Sequence, residues 1–457
     1  MQIGHTGHHP SAQVLSIAAL TARHQGGEMS AGVEIDGHIV VPAIDHPHMV
    51  GEVAFDSVHC CTALLHYRRI TLAVLPDVHR PMQKALENLH ILDLSRILAG
   101  PWCSQTLADL GATVSKVEPP EGDETRRWGP PFRGELSAYF ACANRNKQSI
   151  SIDLRDPAQA PLIESLLEWA DVLIENFRSG QEQVLGFDYA SLKLRYPRLI
   201  VCSISGYGRE GEQATRPGFD FVVQAEAGLM SITGDSNGEP MKVGVAVADL
   251  FAAQNATIGI LAALAHRQRS GEGQQVEVSL FGSQLQMLAN VASNTLFSGQ
   301  PAQRFGNAHP NIVPYQTFRA SDDWFALAVA SEKLWRQFCV AIERPALADD
   351  PRFARNPQRV EHRQLLVDQL QTLFAGHSRQ HWLQLFRHND IPAAPVLSVD
   401  QALQHPVCDA LGLKLTLDGV PMLASPIRLS ATPLSYRSAP PALDSGRSGV
   451  QRLLRKP

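Results

Sequence analysis

At 457 residues the chain is long enough for about three domains, or for one large α/β unit with a smaller companion. An apolar share of 44% against 19% charged residues is that of an ordinary globular protein with ample core, which excludes a fibrous or disordered chain. A net charge of −5 and a pI near 6.4 leave no electrostatic footprint for nucleic acid.

Seven cysteines, none in a CxxC spacing, read as reduced thiols and suggest a cytoplasmic protein. No apolar run approaches the roughly 18 residues of a spanning helix, so no membrane partner is expected. The mildly apolar stretch 14–22 has no Lys or Arg before it, which argues against a signal peptide.

In chain order, the first 81 residues stand apart. They hold ten of the 18 histidines but match no metal-ligand spacing, so no metal is assigned. Residues 1–81 are expected to be a poorly ordered N-terminal extension, or the product of a start upstream of Met82. The pattern sharpens at Leu89: strand 89–95, a turn, helix 102–110 and strand 112–120 make a βαβ unit. Strands at 148–153, 171–175, 199–205 and 275–280 continue it, with helices predicted at 157–170, 181–186, 220–232 and 283–297. This alternation implies a mostly parallel sheet covered on both faces, with ligands at the carboxyl ends of its strands.

After Gly299 the pattern changes to a proline-bearing loop at 305–315, a hairpin over 317–329 and helices near 331–342, 358–374 and 378–388. The domains are therefore expected to be a large α/β domain from 82–298 plus a return at 400–440, and a small α+β domain at 299–399. Strands at 412–416 and 426–430 and an extended, mobile tail at 441–457 complete the expectation.

The stretch KVGVAVADLFAAQNATIGILAAL (242–264) carries the chemistry. Val243–Val247 reads as a short strand, and Leu250, Ala253, Thr257, Ile260, Leu261 and Leu264 fall on one helical face. Asp249 would then sit where strand becomes helix. A carboxylate there can cap the first turn, or it can act as a nucleophile beside backbone donors. Position alone leaves both readings open.

Eight blocks in order give the chain a resemblance to the class III CoA-transferases over about Leu86 to Tyr436. They are LDLSRILAGPWCSQTLADLGA (92–112), KVEPPEGDETRRWGPPF (116–132), NRNKQSISIDL (144–154), ENFRSG (175–180), PGFDFVVQAEAGLMSITG (217–234), VGVAVADL (243–250), SGEGQQVEVSL (270–280) and HPNIVPYQTF (309–318). The resemblance implies an α/β fold, a Rossmann-like large domain with a smaller α+β domain, in an interlocked homodimer. It also implies Asp249 as the nucleophile, acyl-CoA and a small carboxylic acid as partners, and no permanently bound cofactor, coenzyme A thioester being the substrate.

By the same resemblance Leu98 and Ala99 lie at the thioester end, with Gly100 permitting close approach. Ala143, Asn144, Arg145 and Asn146 and the turn Asn176, Phe177 and Arg178 match positions for the nucleotide and pantetheine. Arg126, Arg145 and Arg178 are candidate phosphate partners, since guanidinium pairs bidentately with phosphate. Val184 and Pro119 stand where the family carries basic residues, so those contacts must be rewired. Loop 304–315 resembles a cover over the site, with Arg304 a candidate for a dicarboxylate's second charge and His309 a loop or substrate residue.

Two other readings are weighed. An α-methylacyl-CoA racemase needs a base before the Asp of PGFD, but that position is Phe219, which cannot exchange a proton. Asp220 then remains as a polar neighbour of the site or a helix cap. A non-catalytic acyl-CoA-binding protein would have no need of Asp249.

Overall fold

Six short segments of the sequence pair into one parallel sheet. They are β1 (His90–Asp93), β2 (Thr113–Glu118), β3 (Lys147–Ser151), β4 (Val172–Glu175), β5 (Ile200–Ser205) and β6 (Gln275–Ser279). The computed structural model describes residues 19–22, 31–34 and 84–454. Spatial order across the sheet is 3-2-1-4-5-6, every pair parallel, with Ile91 registered between Val114 and Val172. This is the doubly wound order, whose direction reverses between β1 and β4. Such sheets bind ligands outside the carboxyl ends of the strands at that reversal.

The chain divides into two units, Met1–Val78 and His79–Pro457. In the first, Ala19–Ala22 pairs antiparallel with Ala31–Glu34. The expectation of a poorly ordered extension otherwise lies outside the described residues.

In the second unit both faces of the sheet are buried, which is why β4 and β5 read as continuous apolar runs. One face packs on helices α1 (Ala99–Asp109) and α4 (Val247–Ser270) through Cys103, Leu107, Ala252, Ala256 and Ile260. Between them in the chain come α2 (Ala138–Ala143) and α3 (Asp220–Glu226). The other face carries Leu166, Leu167, Leu192 and Val450. Small residues on α4 let it lie close to α1, and Thr257 Oγ1 donates to Cys103 Sγ at 3.3 Å between them. By length and composition alone α4 could cross a membrane, contrary to the reading of the sequence, yet here one of its faces is core.

Residues 315–395 build a three-stranded antiparallel sheet, Tyr315–Arg319 with Trp324–Ala328 with Ala393–Pro395. Its core is aromatic: Phe318, Phe325, Trp335, Phe338, Phe374 and Phe386 are all fully buried.

Four expectations are corrected. Val243–Val247 is not a strand: the Val243 N–H donates to the Gln224 side chain and Val247 N–H turns back to Val245 O. The helices expected at 220–232 and 283–297 are each broken in two, the first at Gly228, whose φ of 86° no helix accommodates. The second strand of the late hairpin is Val420–Leu423 rather than 426–430, because Asp418 and Gly419 (φ 49° and 79°) form a two-residue turn. The tail is not extended: Arg447–Leu454 is a helix docked by Val450, with Asp444 Oδ1 accepting from Ser151 N–H at 2.8 Å.

Candidate active site

Two loops flank the reversal between β1 and β4. After β1 comes Leu94–Leu98, and after β4 comes Asn176–Arg178. Asn176 joins them, its Oδ1 accepting from Arg96 N–H and its Nδ2 donating to Arg96 O, both at 2.9 Å. Leu98 and Ala99 are buried at the start of α1, where no side chain caps the helix. Gly100 has an internal reason: a Cβ there would sit 2.1 Å from Ser95 Oγ, so the loop's own packing requires the glycine.

Asp249 is the third residue of α4, not the end of a strand. Its placement on the carboxyl edge follows from the other end of the helix, where Arg267 pairs with Asp171 at 3.0 Å at the foot of β4. Since α1 and α4 both return from the carboxyl edge and Thr257 lies beside Cys103, Asp249 projects about 6 Å beyond the start of α1, at about 1.5 Å per residue.

The capping reading of Asp249 does not hold. Its carboxylate makes no cap bond to α4, and the Ala248 N–H is instead taken at 2.8 Å by Oδ1 of Asp220. Asp220 Oδ2 accepts from Gln224 Nε2 at 2.7 Å, and Gln224 also donates to Val245 O. Asp220 thus caps the neighbouring helix rather than its own, and Gln224 fixes the apolar stretch ahead of Asp249. Gly206 and Gly218 make this possible: a Cβ on Gly206 would meet Gly218 Cα at 2.6 Å, so only glycines let 217–220 lie against the end of β5.

Asp249 is left 9% exposed, with no hydrogen-bond partner among the described residues. Burial, and then the Asp220 carboxylate, raise its pKa to about 7. Tyr139, on α2, senses the same place: burial and the charges of Asp249, Cys142, Asp220 and Asp123 push its phenol up to about 12. Its ring stands edge-on to Trp128, centroids 5.0 Å apart. Sequence reasoning missed Tyr139, Trp128 and Gln224. Only the Asp220–Gln224 spacing of four, which puts both on one helix face, gave a signal.

The remaining candidates have partners of their own within the fold. Arg145 is buried in a bidentate pair with Asp109 and also donates to Leu423 O. Arg126 grips Glu118 with two bonds of 2.7 Å. Each guanidinium is thus committed to a buried carboxylate, and breaking such a pair would strand a charge. Ala143, Asn144 and Asn146 are buried too. Asn144 Oδ1 accepts from Lys147, and Asn146, at φ 62°, bonds Asp109 and the 435–438 segment. Phe177 packs on Phe187, while Arg178 is exposed and donates to Thr215 O.

Arg304 and His309 make no hydrogen bond or ion pair to Asp249 among the described residues. His309 orients its loop: Nδ1 accepts from Asn311 N–H at 3.0 Å and its backbone pairs with Tyr315. Burial and then Arg363 lower its pKa. Arg304 Nη1 is buried without a partner among the described residues. The chain neighbours of Arg304, Gln303 and Phe305, line a cavity of about 450 Å³ together with Ile232, Val291, Phe297 and Asn311.

Comparison with known proteins completes the picture. The profile of CoA-transferase family III matches residues 86–447. Succinate–glutarate CoA-transferase of Agrobacterium fabrum is 41% identical over 377 residues, 80% of this chain and 94% of that protein. Human succinyl-CoA:glutarate CoA-transferase is 36% identical over 366 residues, 79% of this chain and 84% of its own length. Among solved structures, a CAIB/BAIF family protein from Brucella suis superposes with a TM-score of 0.73 at 42% identity, covering 81% of this chain and all of that one.

Proposed function

The chain belongs to CoA-transferase family III, and from that premise we propose that it moves CoA from succinyl-CoA to a small dicarboxylic acid through Asp249. One observation carries the mechanism: a buried carboxylate with no hydrogen bond among the described residues, at a helix start beside a second carboxylate. A charge so placed costs stability and has no structural work to do. Poorly stabilised as an anion, it is a reactive nucleophile.

An Asp249 oxygen attacks the succinyl thioester carbonyl, the C–S bond breaks, and a mixed anhydride and CoA thiolate result. The thiolate attacks the aspartyl carbonyl, the anhydride C–O bond breaks, succinate leaves and an aspartyl-CoA thioester remains. The acceptor carboxylate then attacks that thioester, again releasing thiolate. The thiolate takes the acceptor acyl group and restores the Asp249 carboxylate. Each step exchanges one activated acyl group for another, so coenzyme A enters as substrate. The positive end of α4 favours the developing oxyanion.

Relatives named for glutarate support a dicarboxylic acceptor, and Arg304, its Nη1 buried without a partner among the described residues and its chain neighbours Gln303 and Phe305 lining a cavity, is our candidate reader of the second carboxylate. A homodimer fits the apolar surface around the site, where Phe219, Phe221 and Val245 are each more than half exposed and Phe297 is 94% exposed. The described cysteines are all free thiols, in keeping with a cytoplasmic enzyme.

Turnover of succinyl-CoA with glutarate tests the reading. Asp249→Ala and Asp249→Asn should abolish it while CoA binding stays within about tenfold, roughly 1.4 kcal/mol. Turnover kept by Asp249→Ala would remove the mechanism.

A further inference from the structure

The turn Ser95–Leu98 is held in an unusual way. Ile97 has φ 70°, a left-handed conformation that a β-branched residue adopts only under constraint. Ser95 N–H donates to Asp93 Oδ1 at 3.0 Å, and Ser95 O accepts from Lys116 Nζ at 2.8 Å. Arg96 is clamped through both its backbone groups by Asn176. The Ile97 N–H donates to Asp123 Oδ2 at 3.2 Å. Three consecutive residues are thus fixed by side chains from β1, β2, the 119–123 loop and the turn after β4.

Lys116 and Asp123 are both fully buried and pair at 3.0 Å. Burial alone would raise the Asp123 pKa, but Lys116 and Thr125 outweigh it and hold the carboxyl below its ordinary range. Asp123 also caps the short turn Glu124–Arg127 through Thr125 N–H. That turn delivers Trp128 to Tyr139, whose phenol senses Asp249, Asp220 and Asp123 together. One carboxylate therefore ties down both the strained loop and the turn that carries the Trp128–Tyr139 pair. A buried ion pair is rarely retained for stability, since an apolar pair of the same shape does as well.

We propose that Asp123, braced by Lys116, is a positioning residue for CoA transfer: it locks Ile97 in its strained backbone and so sets Leu98 and the start of α1 against the reacting thioester. The inference rests on the reading of the Asp249 site given above. Ordinary backbone relaxation at Ile97 would swing Leu98 away. Misplacement by about 1 Å at a reacting centre can cost on the order of 100-fold in rate.

The test is steady-state transfer from succinyl-CoA to glutarate, with unfolding followed in parallel. Asp123→Ala should lower kcat by about 10- to 100-fold, while KM for succinyl-CoA changes far less. Glycine takes φ 70° without penalty. The double variant Asp123→Ala with Ile97→Gly should therefore recover about tenfold or more of the lost kcat. If Asp123→Ala does not fold, Asp123→Asn, which keeps the shape but loses the charge facing Lys116, takes its place with the same pairing. The proposal is overturned if folded Asp123→Ala keeps wild-type kcat, or if adding Ile97→Gly recovers nothing. If Asp249→Ala keeps turnover, the reading of the site fails first, and the positioning role fails with it.

Discussion

Replacing Asp249 by Asn should change how stability depends on pH. The wild-type carboxyl is held in a nearly dry site beside Asp220, with its pKa moved from 3.8 to about 7. The folded protein binds this proton more tightly than the unfolded chain. The stability that the proton contributes is therefore complete below pH 3.8 and is lost as pH rises through 7. A shift of roughly three units at about 1.4 kcal/mol each gives about 4 kcal/mol in all, of which about 3 kcal/mol disappears between pH 5 and 9. Asn has the same shape and cannot ionise. Urea unfolding at pH 5, 7 and 9 should show the variant gaining on the wild type by that amount as pH rises, with most of the gain between pH 5 and 7 and little beyond. Parallel stability curves would mean that Asp249 carries no buried charge, and the argument from its burial would fall.

Three further outcomes follow from the geometry. Asp220→Asn removes the second cause of the raised Asp249 pKa, so the rising limb of kcat/KM against pH should move to lower pH; an unmoved limb would exclude Asp249 as the titrating group. Arg304→Ala should weaken dicarboxylate acceptors by roughly 10- to 100-fold and leave a monocarboxylate of equal length nearly unchanged; an equal loss for both would make Arg304 a loop residue. Deleting residues 1–81 should leave turnover intact, because the match to the family begins at residue 86, and loss of soluble protein on truncation would contradict that.

Much of the sheet is legible in the sequence because a strand buried on both faces has to be apolar throughout. Val172–Glu175 and Ile200–Ser205 lie within a residue of where their apolar runs place them. The same logic misreads Val243–Val247, an apolar, β-branched run whose backbone is claimed by the side chain of Gln224, a tertiary partner that no local pattern announces. Asp249 is picked out by its place in a motif, but its element is not, and neither is its isolation. Which of two carboxylates caps α4 depends on how α3 packs, and the answer, Asp220, leaves the Asp249 carboxylate without a cap bond. The carboxylate partners of Arg126 and Arg145 are hidden for a related reason: a guanidinium suits phosphate and carboxylate alike, and only the fold brings Glu118 and Asp109 to them. The tail escapes prediction because its docking rests on Val450 and a few polar bonds rather than on a long apolar face.

The most direct test of the central claim is to catch the covalent intermediate. Protein mixed with succinyl-CoA and no acceptor should carry CoA or an acyl group on the peptide containing Asp249. The adduct should be discharged by glutarate and be absent from Asp249→Asn. An adduct on another residue, or transfer at full rate with Asp249 never modified, would contradict the account.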